Sequence, residues 1–329
     1  RAVTLAVEAG TRVGKRDMAV THATRMAFFE QVRAGYPNDC HDGFFQGPAP
    51  ASPTLLPVRT RGRRQVHDAV WASSYQPFWT AFADRYRTVP QSPNVTARLF
   101  STGEPRPIAV LLHGYMSGHF AVEERIWPLN ELDELGFDTA LFVLPFHGPR
   151  AAPGRSLQPE FPSGDPRMTI EGFRQAVTDL RAFVRFLRER GHPRVGLLGM
   201  SLGGYVAALT ATLEPELDFL VPIIPLASLS DFAREQGSLS AEPAARAREH
   251  TALDRLYRVV SPLGRPPLIT GDRVLVLGAR ADRVTPIEHA RALSAHFQAR
   301  LLAWPGGHLL QIGRKRSFES VYALLDRVR

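Results

Sequence analysis

From residue 107 onward, short apolar runs alternate with longer stretches whose apolar positions recur every three or four residues. Segments 108–112, 139–144, 194–198, 219–224, 273–277 and 301–304 lack the strict in-out alternation of a half-exposed strand, so they read as strands buried on both faces. Between the second and third of these, Phe173, Val177, Leu180, Val184 and Leu187 make one helical stripe, with Arg174, Arg181, Arg185 and Arg188 largely off it. That is the spacing of an amphipathic helix, and Gly191 and Pro193 stop it before the next strand. Further helices are expected over 205–213, over 286–297 with Pro286 at an early position, and from 317 to the end. The alternation predicts an α/β fold, with a mostly parallel central sheet covered by helices on both faces.

Two regions depart from this rhythm. Residues 1–93 read as an N-terminal extension packed on the core, with a helical candidate near 26–33 and a loop-like stretch rich in proline and glycine over 43–63. The main domain then spans 94–329. Inside it, residues 228–268 are too long for a simple connection and dense in Ala, Arg and Glu, as expected of a helical lid insertion. Phe232, Leu239, Leu253, Leu256 and Tyr257 of that insertion could face an acyl chain, and most of them are expected to pack onto the sheet. Arg234, Arg246 and Arg248 fit either an anionic group or plain solvent.

Composition narrows the picture further. A chain of 329 residues with 44% hydrophobic content can bury a large core. No run approaches the roughly 18 apolar residues of a membrane span, and Glu8, Arg12, Lys15, Arg16 and Asp17 interrupt the start of the chain. A transmembrane segment is therefore not expected, and the expected location is cytoplasmic. Cys40 is the single cysteine, which excludes an intrachain disulfide and a cysteine-based zinc site. The net charge of +8 comes almost wholly from dispersed arginines, since Lys15 and Lys315 are the only lysines. No basic stripe with interleaved aromatics appears, so the charge reads as a solvated surface and no nucleic-acid partner is expected. No pair of histidines has i,i+4 spacing and no carboxylate cluster accompanies the histidines, so neither a metal nor a cofactor is expected.

The chemistry is carried by Val195-Gly196-Leu197-Leu198-Gly199-Met200-Ser201-Leu202-Gly203-Gly204-Tyr205, a strand that runs through G-x-S-x-G directly into an apolar helix. Small residues at 199 and 203 suit a sharp strand-to-helix turn. The serine then sits at a helix N-terminus, which favours developing negative charge. This run resembles the α/β-hydrolase superfamily, together with two later segments, over about residues 94–329. The resemblance implies a triad in chain order serine, acid, histidine. Its acid loop matches Gly278-Ala279-Arg280-Ala281-Asp282-Arg283-Val284-Thr285-Pro286, and its histidine loop matches Pro305-Gly306-Gly307-His308. The implied roles are Ser201 as nucleophile, His308 as general base and Asp282 as the acid that orients the ring. The implied oxyanion donors are the backbone N–H groups of Leu202 and of Tyr115, which follows His113-Gly114.

Each position also has a plainer reading. Asp282 could be a loop carboxylate or a helix cap before Pro286, with Asp231 as the best alternative acid. His308 could be a loop histidine bonded to backbone, and His289 reads as a surface residue of a helix. His113 is usually structural in the superfamily. His147, at the end of the second strand, with His119 and Met200, are candidate substrate contacts. The expected activity is cleavage of an ester, thioester or amide on a small-molecule or lipid-like acyl substrate through an acyl-enzyme. Acyl transfer by the same triad is the alternative within that chemistry. Outside it stand a non-catalytic binding protein of the same fold, and association of the basic surface with nucleic acid or anionic membranes, which would collapse with salt.

Overall fold

The computed structural model describes residues 21–37, 43–47, 49–155 and 158–329. Cys40 and the charged stretch from Glu8 to Asp17 lie outside them. One nine-stranded sheet runs in the order β1-β2-β3-β5-β4-β6-β7-β8-β9. The strands are β1 Thr54–Arg61, β2 Arg64–Ala72, β3 Asn94–Ser101, β4 Ile108–Leu112, β5 Asp138–Phe142, β6 Val195–Met200, β7 Phe219–Ile223, β8 Leu275–Ala279 and β9 Arg300–Trp304. The first three pair antiparallel, as does β3 with β5, while every pairing from β5 through β9 is parallel. The six strands expected after residue 107 are all present, each within a few residues of the sequence pattern.

The stretch 43–63, expected as loop, contains β1. This strand is at the sheet edge with no buried position, so it has no hydrophobic alternation to detect. It also carries Pro57 beside a register shift between Pro57 and Arg59, a position that proline tolerates only at edges and bulges.

Helices cover both faces, as the alternation predicts. On one side lie α1 His22–Ala34, α5 Pro166–Glu189, α6 Leu202–Thr210 and α9 Ile287–His296. On the other, α4 Leu129–Glu134 and α10 Arg314–Val328 pack through Leu132, Phe318, Val321 and Leu325. The remaining helices are α2 Ala83–Tyr86, α3 Phe120–Ile126, α7 Leu229–Glu235 and α8 Pro243–Tyr257. Helix α5 starts where Asp165 accepts the Arg167 N–H and Pro166 takes the first helical position, which removes one orphan donor and pre-sets the backbone. Residues 228–268, expected as a lid insertion, hold α7 and α8. Leu253 and Leu256 are buried in the main core, and Phe232, Leu239 and Tyr257 pack against it.

Segments before β3 cover the outer side of α5, so Arg174, expected off the apolar stripe, is buried. Its guanidinium donates to Glu171 at 3.1 Å, to the Phe44 carbonyl at 2.8 Å and to the Gln76 carbonyl at 3.2 Å. Glu171, fully buried, also accepts from Tyr36 Oη at 3.0 Å, from the hydroxyl of Tyr75, and from the amides of Phe78 at 3.1 Å and Trp79 at 3.0 Å. A second tie joins α1 to α8, where buried Glu249 accepts from His22 at 2.9 Å and Arg25 at 2.7 Å. Removing one member of a buried ion pair strands the other charge. Glu171→Ala is therefore expected to lower unfolding free energy by about 3–5 kcal/mol in urea titration. A midpoint equal to that of the wild type would contradict this role.

Candidate active site

Strand order reverses at β4, which sends one crossover to β5 and the next to β6. In an open parallel sheet, the crevice between two such diverging loops gathers ligands. Ser201 follows β6, and the segment 113–118 follows β4. Ser201 takes φ 55° and ψ −112°, a conformation that costs a non-glycine residue of order 1–3 kcal/mol and persists only when its surroundings enforce it. Its N–H donates to the Ile223 carbonyl at 2.9 Å and its carbonyl accepts from Leu226 at 3.2 Å. The two motif glycines supply the space. A Cβ on Gly199 would sit 2.2 Å from the Gly203 carbonyl oxygen, and one on Gly203 would sit 2.3 Å from the Leu112 carbonyl oxygen. Only hydrogen fits where the turn presses on β4.

Asp282 and His308, distant in sequence, come into contact. His308 Nδ1 lies 2.7 Å from Asp282 Oδ2, and Asp282 is buried. The other carboxylate oxygen, Oδ1, accepts the amides of Val284 at 2.8 Å and Thr285 at 2.9 Å. The loops themselves are joined, with Arg280 N–H donating to the Trp304 carbonyl at 2.9 Å and Ala281 N–H to the Gly306 carbonyl at 3.1 Å. Asp231, the alternative acid, is engaged elsewhere, 2.9 Å from His250 Nε2 and 2.6 Å from Arg234.

Two neighbours of this pair were not anticipated from sequence. Thr285 Oγ1 lies 3.0 Å from the Ile224 carbonyl, 3.2 Å from Asp282 Oδ2 and 3.1 Å from His308 Nδ1. Its hydroxyl thus braces acid and imidazole against the end of β7. Gln311 Nε2 reaches the His308 carbonyl at 3.1 Å and the Met200 sulfur at 3.7 Å, which ties the histidine loop to the residue before Ser201. Met200, a candidate substrate contact, is half-buried there.

The β4 loop is held by a third unanticipated residue. Buried Glu123 accepts from the Ser117 hydroxyl, from Gly118 N–H at 3.1 Å and from Trp127 Nε1 at 3.0 Å. His113 is buried and structural, since its Nε2 accepts the Leu144 amide at 3.1 Å and its Nδ1 lies 2.7 Å from the Gly114 carbonyl oxygen. Burial lowers its pKa and keeps it neutral. Tyr115 is exposed at the rim. Among the described residues, neither its backbone N–H nor that of Leu202, the first residue of α6, has an acceptor within the protein.

His147 is fully buried, with its ring against those of His113, Tyr115 and Phe161. Its Nδ1–H donates to the Pro145 carbonyl at 2.8 Å, its Nε2 has no partner among the described residues, and burial pushes its pKa far down. It stands behind Tyr115 rather than on the open surface. His119 is exposed at the N-cap of α3, with no capping bond from its side chain. His289, expected on a helix surface, is buried instead: its Nε2 lies 3.0 Å from Glu235, and its Nδ1 accepts the Ala227 amide at 3.3 Å. The insertion after β7 covers that helix face. No cluster of metal-ligating side chains occurs among the described residues.

A model described as "Alpha/beta hydrolase family" matches residues 109–316, and the chain belongs to that family. Among curated sequences it is 32% identical over 276 residues to uncharacterized proteins of two Mycobacterium tuberculosis strains, CDC 1551 / Oshkosh and ATCC 25618 / H37Rv. The match covers 81% of this chain and 65% of each relative, so the chain spans about 65% of their length. Among solved structures, acetyl xylan esterase 1 of Thermoanaerobacterium sp. JW/SL YS485 superposes with a TM-score of 0.60 at 16% identity, covering 91% of this chain and 92% of that one. An acetyl xylan esterase of Paenibacillus sp. R4 gives 0.58 at 16% identity, covering 97% and 99%. An esterase of Pyrococcus furiosus gives 0.55 at 14%, covering 86% and 99%. At these identities the likeness is one of fold.

Because the Gly203 Cβ would meet backbone of β4 rather than a movable side chain, Gly203→Ala is expected to cost about 1–3 kcal/mol of stability. Denaturant titration checks this. An unchanged midpoint would mean that the turn is not packed as described.

Proposed function

We propose that the protein is a serine hydrolase that cleaves a carboxylic ester, or a related thioester or amide, through an acyl-enzyme on Ser201. The observation that carries this reading is the 2.7 Å contact between His308 Nδ1 and Asp282 Oδ2. It fixes the tautomer that leaves Nε2 with a lone pair, the form a general base needs. His308 Nε2 takes the Ser201 hydroxyl proton as Oγ attacks the acyl carbon. Asp282 stabilises the imidazolium without being protonated itself. The negative charge moves onto the former carbonyl oxygen, to which the unengaged amides of Leu202 and Tyr115 donate hydrogen bonds. Collapse of this intermediate expels the alcohol, to which His308 returns the proton. Water then attacks the acyl-serine by the same proton route reversed, releasing the acid and restoring Ser201.

Thr285 and Glu123 act as positioning residues in this scheme, the first on the acid and imidazole, the second on the loop that presents Tyr115. His147, with one bonded and one free ring nitrogen, backs the Tyr115 ring. Acetyl esters are the first substrates to test, since acetyl xylan esterases share the fold.

Steady-state hydrolysis of short-chain aryl esters is the test. Ser201→Ala is expected to lose about four orders of magnitude in kcat or more, and Asp282→Asn about four orders because it favours the wrong tautomer. Thr285→Val should lower kcat more modestly with KM little changed. Hydrolysis by folded Ser201→Ala at the wild-type rate would overturn the proposal.

A further inference from the structure

Large apolar side chains held in water are concentrated beside His308. Leu309, Leu310 and Ile312 are 45%, 74% and 68% exposed. They do not belong to a loose segment. Gly307 N–H donates to the Leu310 carbonyl at 2.9 Å, Arg314 N–H to the Gln311 carbonyl at 3.1 Å, and Gln311 anchors inward on the His308 carbonyl and Met200. A Cβ on Gly306 would meet Ile312 N and the Leu310 carbonyl at 2.6 Å, so the loop closes tightly on its own base. The polar residue of Leu-Leu-Gln-Ile thus points to the protein, and the three apolar ones point away.

Basic residues follow at once. Arg314, Lys315 and Arg316 open α10, with Lys315 and Arg316 exposed. Arg314 and Lys315 line an open groove with Arg61, Arg125, Ile126, Glu124 and Glu131. Glu124 is already paired with Arg59 and Arg98, so the groove keeps a positive excess. Exposed Ile126 on α3 adds an apolar side chain to the rim of that groove.

We propose that residues 309–316 form an interfacial docking loop: Leu309, Leu310 and Ile312 enter the outer layer of an anionic lipid surface, while Lys315, Arg316 and the groove cations contact its phosphate groups. Apolar tips next to a basic shelf are complementary to a bilayer boundary, where acyl chains and negative headgroups are layered in that order. A second copy of the chain fits worse, because a two-fold contact would bring the same positive excess to both sides of the seam. Among the described residues, no helix is long and apolar enough to cross a membrane. If the hydrolase reading of Ser201 holds, docking places the catalytic crevice at the lipid boundary, and lipid-borne acyl esters become its substrate class.

Vesicle binding tests this without turnover. The full chain is floated with vesicles of equal parts phosphatidylglycerol and phosphatidylcholine, and with phosphatidylcholine alone. Binding is expected to the mixed vesicles, and to weaken as salt rises. Lys315→Gln with Arg316→Gln should weaken it about 25-fold, at about fivefold per basic residue near such a surface. Leu310→Asp with Ile312→Asp should weaken it at least about tenfold. The emission of Leu310→Trp should shift to the blue on vesicle addition. Equal binding to both vesicle types, unchanged binding by either double variant, or no shift for Leu310→Trp would overturn the proposal. So would a lipid-free dimer that dissolves in the Leu310→Asp variant without any vesicle binding. Hydrolysis lost with vesicle binding intact would instead count against the hydrolase reading alone.

Discussion

The contact between the turn at Ser201 and the end of β4 is the constraint on which the rest depends. Ser201 can hold φ 55° and ψ −112° only because Gly199 and Gly203 carry no Cβ where backbone from the same turn and from β4 presses in. That compression places the hydroxyl at the start of α6 and beside the loop that carries Tyr115. The strand order also reverses at β4, and the ends of strands at such a reversal are where open parallel sheets gather ligands. Fold and candidate chemistry therefore share one origin, a close approach of two strand ends.

Around that turn, buried carboxylates set the positions of the surrounding loops. Asp282 spends one oxygen on two amides and shares the other between His308 and the Thr285 hydroxyl. Glu123 gathers Ser117, Gly118 and Trp127, and so fixes the β4 loop. Glu171 gathers two tyrosines, two amides and Arg174, and so fixes the N-terminal segment on α5. In each case the negative charge is compensated by convergent donors, the condition for a carboxylate to remain inside a protein. Moving a loop tied in this way would break hydrogen bonds to a buried carboxylate, a costly step.

Much of this was legible in the sequence because it follows from local pattern. The parallel strands announce themselves as unbroken apolar runs, and G-x-S-x-G between a strand and a helix specifies its own geometry. Asp282 and His308 stand just past strand ends, where the resemblance leads one to look. What was hidden depends on distant partners. β1 has no buried face, so the pattern has nothing to report. Arg174 and His289 sit at polar positions of their helices and are buried only because the N-terminal segment and the insertion after β7 lie over them. Glu123, Thr285 and Gln311 have ordinary spacing, and their importance comes from what folding sets beside them. Thr285 alone left a local trace, three residues after the acid and just before Pro286.

The most direct test of the central claim is where and how fast a fluorophosphonate reacts. The probe phosphonylates only a serine whose proton has a nearby acceptor. Peptide mass mapping should find a single adduct, on the peptide containing Ser201, formed orders of magnitude more slowly in His308→Ala. An adduct on another residue, or labelling of His308→Ala at the wild-type rate, would contradict the account.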